Sequence, residues 1–220
     1  MTGDPRRREV GGRERSAGEN GSGNPESQAQ RKRLIDAFTK VAAERGYAQT
    51  TVNEVAAAAG VPRSAFYAHF ADRRQCLSAA HDAFFDRLLT EAAGAVDIDQ
   101  AWPLRVRDAI AATLEFVGET ASRARFFAVE VLVAGPVIAE RHASALNRVV
   151  PMLREGRVHC PAAADLPQLT EPMLIGGAAF LIQSSLLAEE GLRVAQLEPE
   201  LVEVLLTPYV GSAEARRIAG

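Results

Sequence analysis

Between Thr50 and Leu77 the chain reads TTVNEVAAAAGVPRSAFYAHFADRRQCL, and its stop and start signals leave the backbone little freedom. Thr51-x-x-Glu54 is a capping box, in which the hydroxyl takes an orphan N–H at the start of a helix and the carboxylate reaches back to the cap. Val52, Val55, Ala56 and Ala59 then recur at helical spacing, so one stripe is buried. Gly60 supplies the left-handed residue of a sharp turn, Val61 enters the core, and Pro62 suits the first turn of a second helix. Phe66 and Phe70, four residues apart, face inward. Arg63, Ser64, Ala65, Tyr67 and His69 are left to point elsewhere. Asp72-x-x-Gln75 reads as another capping box and opens a longer helix. The stretch is therefore two short helices joined by a tight turn, with a third beginning at its end.

An ordinary helical hairpin in a core would use the same devices, and residue identity separates the two readings. The stretch resembles the DNA-binding half of the TetR family, with Thr51, Val52, Val55, Ala56, Ala59, Gly60, Val61, Phe66, Tyr67, His69 and Phe70 in register. Pro62, Ser64-Ala65 and Arg73 depart from the family's usual Ser, Gly-Thr and Lys. The resemblance is specific over residues 28–77 and loose beyond. It implies a helix-turn-helix that reads double-stranded DNA through Thr51, Asn53, Pro62, Arg63, Ser64, Ala65, Tyr67, His69 and Arg73. Arg63, Ser64 and Ala65 would face base edges, while Thr51, Tyr67, His69 and Arg73 would bond phosphates.

Charge agrees with a chain that presents one end to phosphate. The net charge is only −3, but it is divided unevenly. Residues 28–75 carry eight basic and four acidic side chains, whereas residues 76–220 carry 12 basic and 19 acidic. A basic block before an acidic remainder is the expected electrostatic footprint.

Residues 1–26 are rich in Arg, Gly, Glu, Ser and Asn and too poor in apolar groups to offset the entropy of ordering, so a disordered tail is expected. Its Arg6-Arg7-Arg8 cluster has two readings, a basic arm on DNA or a solvated segment balanced by its own acids. Ser27-x-x-Gln30 is read as the cap of the first helix of a domain spanning residues 27–75. Residues 76–220 form the second domain, an all-α unit.

In that second domain one helix from Arg73 to about Ala95 links the halves, and Trp102-Pro103 opens the next. The run FFAVEVLVA after Arg125 is apolar nearly all round and is expected to be the domain's central buried helix. Val137 to Arg154 reads as one helix, followed by a loop over residues 155–169. A nearly uncharged helix from Thr170 contains Gly176-Gly177. Two mid-helix glycines cost about 1 kcal/mol each against Ala, and close approach of another helix would compensate. A last helix begins at Pro199.

By resemblance, the second domain binds a small-molecule effector in an apolar pocket and pairs two subunits through its final helices. Phe84, Phe85, Trp102, Phe116, Phe126, Phe127, Glu130, His142 and Phe180 are the candidate pocket residues. Glu130, a carboxylate among valines, either pairs with Arg105 or Arg107 or holds a polar group of the effector. His81-Asp82 and His142 otherwise read as solvated or satisfied side chains.

No apolar run reaches 18 residues, so no membrane span is expected. The N-terminus lacks the apolar stretch of a signal peptide. Cys76 and Cys160 are too few for a disulfide framework and lack partners at metal-ligand spacing, which fits a cytoplasmic protein without metal or cofactor. No nucleophile with its base, carboxylate pair or phosphate loop presents itself, so an enzyme is not expected. The sequence-level reading is a homodimeric regulator, a repressor released from a palindromic operator by an apolar or amphipathic ligand. A helical protein-binding adaptor is the alternative.

Overall fold

Every described element is helical. The computed structural model describes residues 24–133, 135–188 and 194–220, so the N-terminal tail up to residue 23 lies outside the described residues. Twelve α-helices follow in order among the described residues. The first four are α1 (Pro25–Arg45), α2 (Val52–Ala58), α3 (Arg63–His69) and α4 (Arg73–Gly94). Next come α5 (Trp102–Glu119), α6 (Ala121–Val133), α7 (Pro136–Asn147), α8 (Val150–Arg154) and α9 (Gly156–His159). The last three are α10 (Thr170–Leu187), α11 (Glu198–Val210) and α12 (Ser212–Ala219).

Local signals set most helix ends. The Thr51 hydroxyl accepts from the Glu54 N–H, and the Glu54 carboxylate accepts from the Thr51 N–H at 3.0 Å, so the capping box is closed. Gly60 turns the chain at φ +65°, a left-handed conformation that costs glycine nothing. Asp72 caps α4 by accepting from the Gln75 N–H at 2.8 Å, while Gln75 reaches past the cap to the Ala71 N–H. At α1 the cap is Asn24, which accepts from the Glu26 N–H, rather than Ser27. Pro25 at the first helical position favours that earlier start.

The expected helix from Val137 to Arg154 is broken. Chain turns at Arg148-Val149 divide it into α7 and α8, and Pro151 occupies the first turn of α8, where its missing N–H costs nothing. The expected loop after it contains the short helical turns Gly156–His159 and Pro161–Ala163.

Two apolar cores carry the molecule. One gathers Leu34, Phe38, Val55, Phe66, Phe70 and Leu77 around α1 to α4 and continues into Phe126, Phe127 and Ile138. The other joins Trp102, Val106, Leu114, Leu153, Leu201, Leu205 and Tyr209. Helix α6 is therefore not the centre of the second domain. It packs against α1 and α10, and Val129 on it is 38% exposed. Its apolar circumference reflects contact with two sets of neighbours on different sides.

The second core is pinned by a buried acid. Glu171 is fully buried, and its two carboxylate oxygens accept from Arg157 Nε at 2.6 Å and Nη2 at 3.0 Å, with the Tyr209 hydroxyl donating at 3.2 Å. Burial works against the charge of Glu171, but Arg157 and these hydrogen bonds prevail and lower its pKa. The pairing ties α9 and α11 to the start of α10.

Candidate functional site

Two surfaces and one cavity carry the candidate chemistry. The first surface is the outer face of α3. Phe66 and Phe70 fix its inner face in the core, which turns Pro62, Arg63, Ser64 and Tyr67 into solvent, with Ala65 half-buried. Arg63 Nη2 donates to the Tyr67 hydroxyl at 3.2 Å, and its guanidinium lies 5.5 Å from the centre of the Tyr67 ring. Asn53 is exposed at the start of α2. These six residues form one outward group with long donors, a hydroxyl and a methyl.

The other three candidate contacts are already engaged. The Thr51 hydroxyl belongs to the capping box and donates to Glu54 at 2.8 Å. His69 Nε2 lies 2.9 Å from Gln30 Oε1, which ties α3 to α1. The Arg73 guanidinium donates to the backbone carbonyls of Tyr47, at 3.2 Å, and Thr50, and covers the Tyr47 ring. Arg73 thus braces the 47–50 turn through its Nη1. Tertiary position decided this, because nothing in the local sequence says that the 47–50 turn lies beside α4.

The same turn touches α6. The Tyr47 N–H donates to Glu130 Oε1 at 3.4 Å, and Glu130 is only 6% exposed. Burial raises the Glu130 pKa, with the Tyr47 N–H opposing. Neither expected arginine meets it, since Arg105 pairs with Glu155 at 2.5 Å and Arg107 with Asp108 at 2.8 Å. Glu130 thus joins α6 to the Tyr47 turn at the edge of the first core.

The cavity, about 470 Å³, lies among α4, α5, α6, α7, α8, α10 and α11. Its wall is almost wholly apolar and includes Phe84, Phe85, Ile110, Leu114, Phe127 and Ile182. Four polar side chains border it, Thr113, His142, Arg148 and Gln183. Of the candidate pocket residues, Phe84, Phe85, Phe127 and His142 line it. The remaining five stand elsewhere. Trp102 donates from its indole to the Met152 carbonyl at 3.0 Å and packs on Tyr209 in the second core. Phe116 stacks against Phe84 from outside the wall, with Arg87 over its ring. Phe126 belongs to the first core, Glu130 faces Tyr47, and Phe180 is 65% exposed. The lining residues Leu88, Ile110, Leu114, Ile182 and Gln183 had no distinguishing sequence signal, because a cavity wall and a filled core share the same apolar spacing.

His81 and His142 were expected to be solvated or satisfied, and His81 is neither. It is fully buried on α4, with both ring nitrogens lacking a hydrogen bond. Its ring stacks on Phe85 at 4.6 Å and meets Phe127 and His142 edge-on. Burial above all lowers its pKa to about 4, and burial lowers that of His142 as well. His81 is therefore neutral near pH 7, and its 3.7 Å approach to Asp82 is not an ion pair. Asp82 is held instead by Arg141, and Asp86 by Arg148 at 2.5 Å.

The second surface is the outer stripe of α10. Met173 (72% exposed), Phe180 and Leu181 share it with the exposed Gly176 and Gly177. A Cβ added at either glycine would meet nothing within 4 Å. On α11, Val204 is likewise exposed.

Comparison with known proteins bears on the first surface. Residues 34–80 match the family described as bacterial regulatory proteins, tetR family. The N-terminal domain is that of the tetR family. No curated protein sequence matches the chain. Among solved structures, the tetR-like fold extends well past that domain. The fatty acid degradation regulator FadR from Bacillus halodurans is 18% identical with a TM-score of 0.68, covering 82% of this chain and 98% of that one. The transcriptional regulator FadR from Bacillus subtilis, solved in complex with stearoyl-CoA, is 17% identical with a TM-score of 0.66 over 82% and 98%. A tetR-family regulatory protein from Rhodococcus RHA1 is 20% identical with a TM-score of 0.60 over 82% and 96%. The shared architecture is an all-helical fold, with the tetR-family match at its N-terminal end. Among the described residues no helix is long and apolar enough to cross a membrane.

Proposed function

We propose that the protein is a homodimeric, sequence-specific repressor that leaves a palindromic operator when an apolar or amphipathic ligand enters the cavity. The observation that carries this reading is the course of α4. Its first turn is capped beside α3, and its later turns supply Phe84, Phe85, Leu88 and Leu89 to the cavity wall. A ligand that shifts α4 would bear on α3 through the core that Phe66, Phe70 and Leu77 share. The contact of Glu130 with the Tyr47 turn offers a second path from the wall helix α6 to the same domain.

Five exposed groups on and beside α3, with the half-buried Ala65, suit a DNA groove, in which Arg63 would read a guanine and Tyr67 would bond a phosphate. One recognition helix of seven residues reads few base pairs, so useful specificity requires two. The apolar stripe on α10, with Val204 of α11 beyond it, supplies a face for a second copy. Its two glycines leave room for close approach of a partner helix, which would offset their helix cost.

Cavity volume and lining suit one aliphatic or aryl-aliphatic body, within the common range of about 300–1,000 Å³ for small-molecule sites. The stearoyl-CoA bound to the Bacillus subtilis neighbour carries a long aliphatic chain, which favours acyl compounds as first candidates. The test is selection of operator sequences from genomic fragments by the purified protein, repeated with Arg63→Ala. Wild type should enrich one palindrome. Arg63→Ala should lose about 1–3 kcal/mol on it and relax preference at one position per half-site. Retention of no fragment at low salt would instead favour the protein-binding adaptor.

A further inference from the structure

The cavity wall is apolar except at four side chains, and three of these already have partners. The Thr113 hydroxyl donates to the Ala109 carbonyl at 2.8 Å, the Gln183 amide donates to the Ala128 carbonyl at 2.6 Å, and Arg148 is held by Asp86. His142 is the exception. Its Nδ1 and both nitrogens of His81 behind it are buried without a hydrogen bond, which leaves His142 Nε2 as the accessible nitrogen of the four. The two rings sit perpendicular at 5.8 Å, with Phe85 against both.

A ligand that covers His142 Nε2 without bonding it would add one more unpaired imidazole nitrogen to this wall, and that cost is avoided when the ligand brings a polar group to Nε2. The charges nearby decide what kind of group. Arg141 and Arg148 are each paired with a carboxylate on α4, so neither is a free cation for an anion to meet. An ionised head in this wall would be buried unpaired, which is far costlier than burying a hydroxyl or carbonyl that finds one hydrogen bond.

We infer that His142, backed by His81, is the polar anchor of the cavity, and that it takes an uncharged hydrogen-bonding group, a hydroxyl or carbonyl, carried on an apolar body. This rests on the cavity's being a ligand site. Neutral imidazole offers one donor and one acceptor, so it can serve either group without a change of charge. His81 positions the anchor by filling the space behind it with a ring that makes no hydrogen bond to it.

Three matched probes test this at pH 7.5 by calorimetry, on wild type, His142→Leu and His142→Gln. They are 4-phenylbutan-1-ol, 4-phenylbutanoate and butylbenzene, which share a body and differ in the head. The alcohol should lose about five- to tenfold in affinity in His142→Leu, the worth of one ordinary hydrogen bond. Butylbenzene should keep or gain affinity in that variant, and His142→Gln should recover part of the alcohol's loss. The carboxylate should bind wild type at least about tenfold more weakly than the alcohol. Thermal unfolding of each variant shows that it is folded. An equal effect of His142→Leu on alcohol and butylbenzene would overturn the anchor, and carboxylate binding as tight as the alcohol would overturn its neutrality. Binding of none of the three probes to wild type or variant would overturn the cavity as a ligand site, and the anchor with it.

Discussion

Acidification should reveal the cost of burying His81. A histidine in an unfolded chain takes up its proton near pH 6.5, whereas burial holds the folded His81 to about 4. Between those values the unfolded state binds more protons, so stability rises with pH there. The contribution is complete above the unfolded value and is lost as pH falls toward the folded one. At about 1.36 kcal/mol per pH unit, the full loss is about 3 kcal/mol at pH 4, with about 2 kcal/mol gone by pH 5. Asp82, 3.7 Å away, cannot rescue the protonated ring cheaply, because Arg141 already engages it and burial raises its own pKa. The assay is urea unfolding at pH 8, 7, 6 and 5 for wild type and His81→Leu. His142 and the carboxylates titrate in both proteins, so the difference between the two curves isolates His81. Wild type should lose about 2 kcal/mol relative to the variant between pH 8 and pH 5. Parallel stability curves would refute the reasoning, since they would mean that His81 is protonated as readily in the folded state as in the unfolded one.

Gly156→Ala should destabilise by at least about 1–3 kcal/mol, because its Cβ would fall within 2.7 Å of Tyr209 Cδ1 and nearer still to the Trp102 ring; an unchanged thermal midpoint would contradict that packing. Arg73→Ala should cost about 1.5–3 kcal/mol of unfolding free energy in the absence of DNA, the range for hydrogen bonds to a charged group, as the Tyr47 and Thr50 carbonyls lose their donor. If it weakened DNA binding and left stability untouched, Arg73 would be a phosphate ligand after all. Phe180→Glu, on the exposed stripe of α10, should convert a dimer to monomer by light scattering at micromolar concentration, and a monomeric wild type would dismiss the proposed pairing.

The sequence by itself determined the helix-turn-helix and most of the helix starts. Those features depend on groups a few residues apart. Thr51 and Glu54 close their own capping box, Gly60 takes its left-handed turn, and Phe66 and Phe70 find one face, whatever the rest of the chain does. The limits of such local reading show at α1, where Asn24 and Pro25 preceded the weaker signal at Ser27.

Only the tertiary structure decided what meets across the fold. Arg73 and His69 sit at positions that resemble DNA contacts, yet the 47–50 turn and Gln30 engage them from elsewhere in the chain. Glu130 was legible as an anomaly but its partner was not, because the Tyr47 N–H lies 83 residues away. The cavity left still less trace. Phe84 on its wall and Phe116 outside it occupy the same kind of apolar helical position. Whether such a stripe closes on neighbours or leaves space depends on how seven helices are set against one another. For the same reason the sequence showed His81 and His142 as two dispersed histidines, and the packing of α4 against α7 made them a pair.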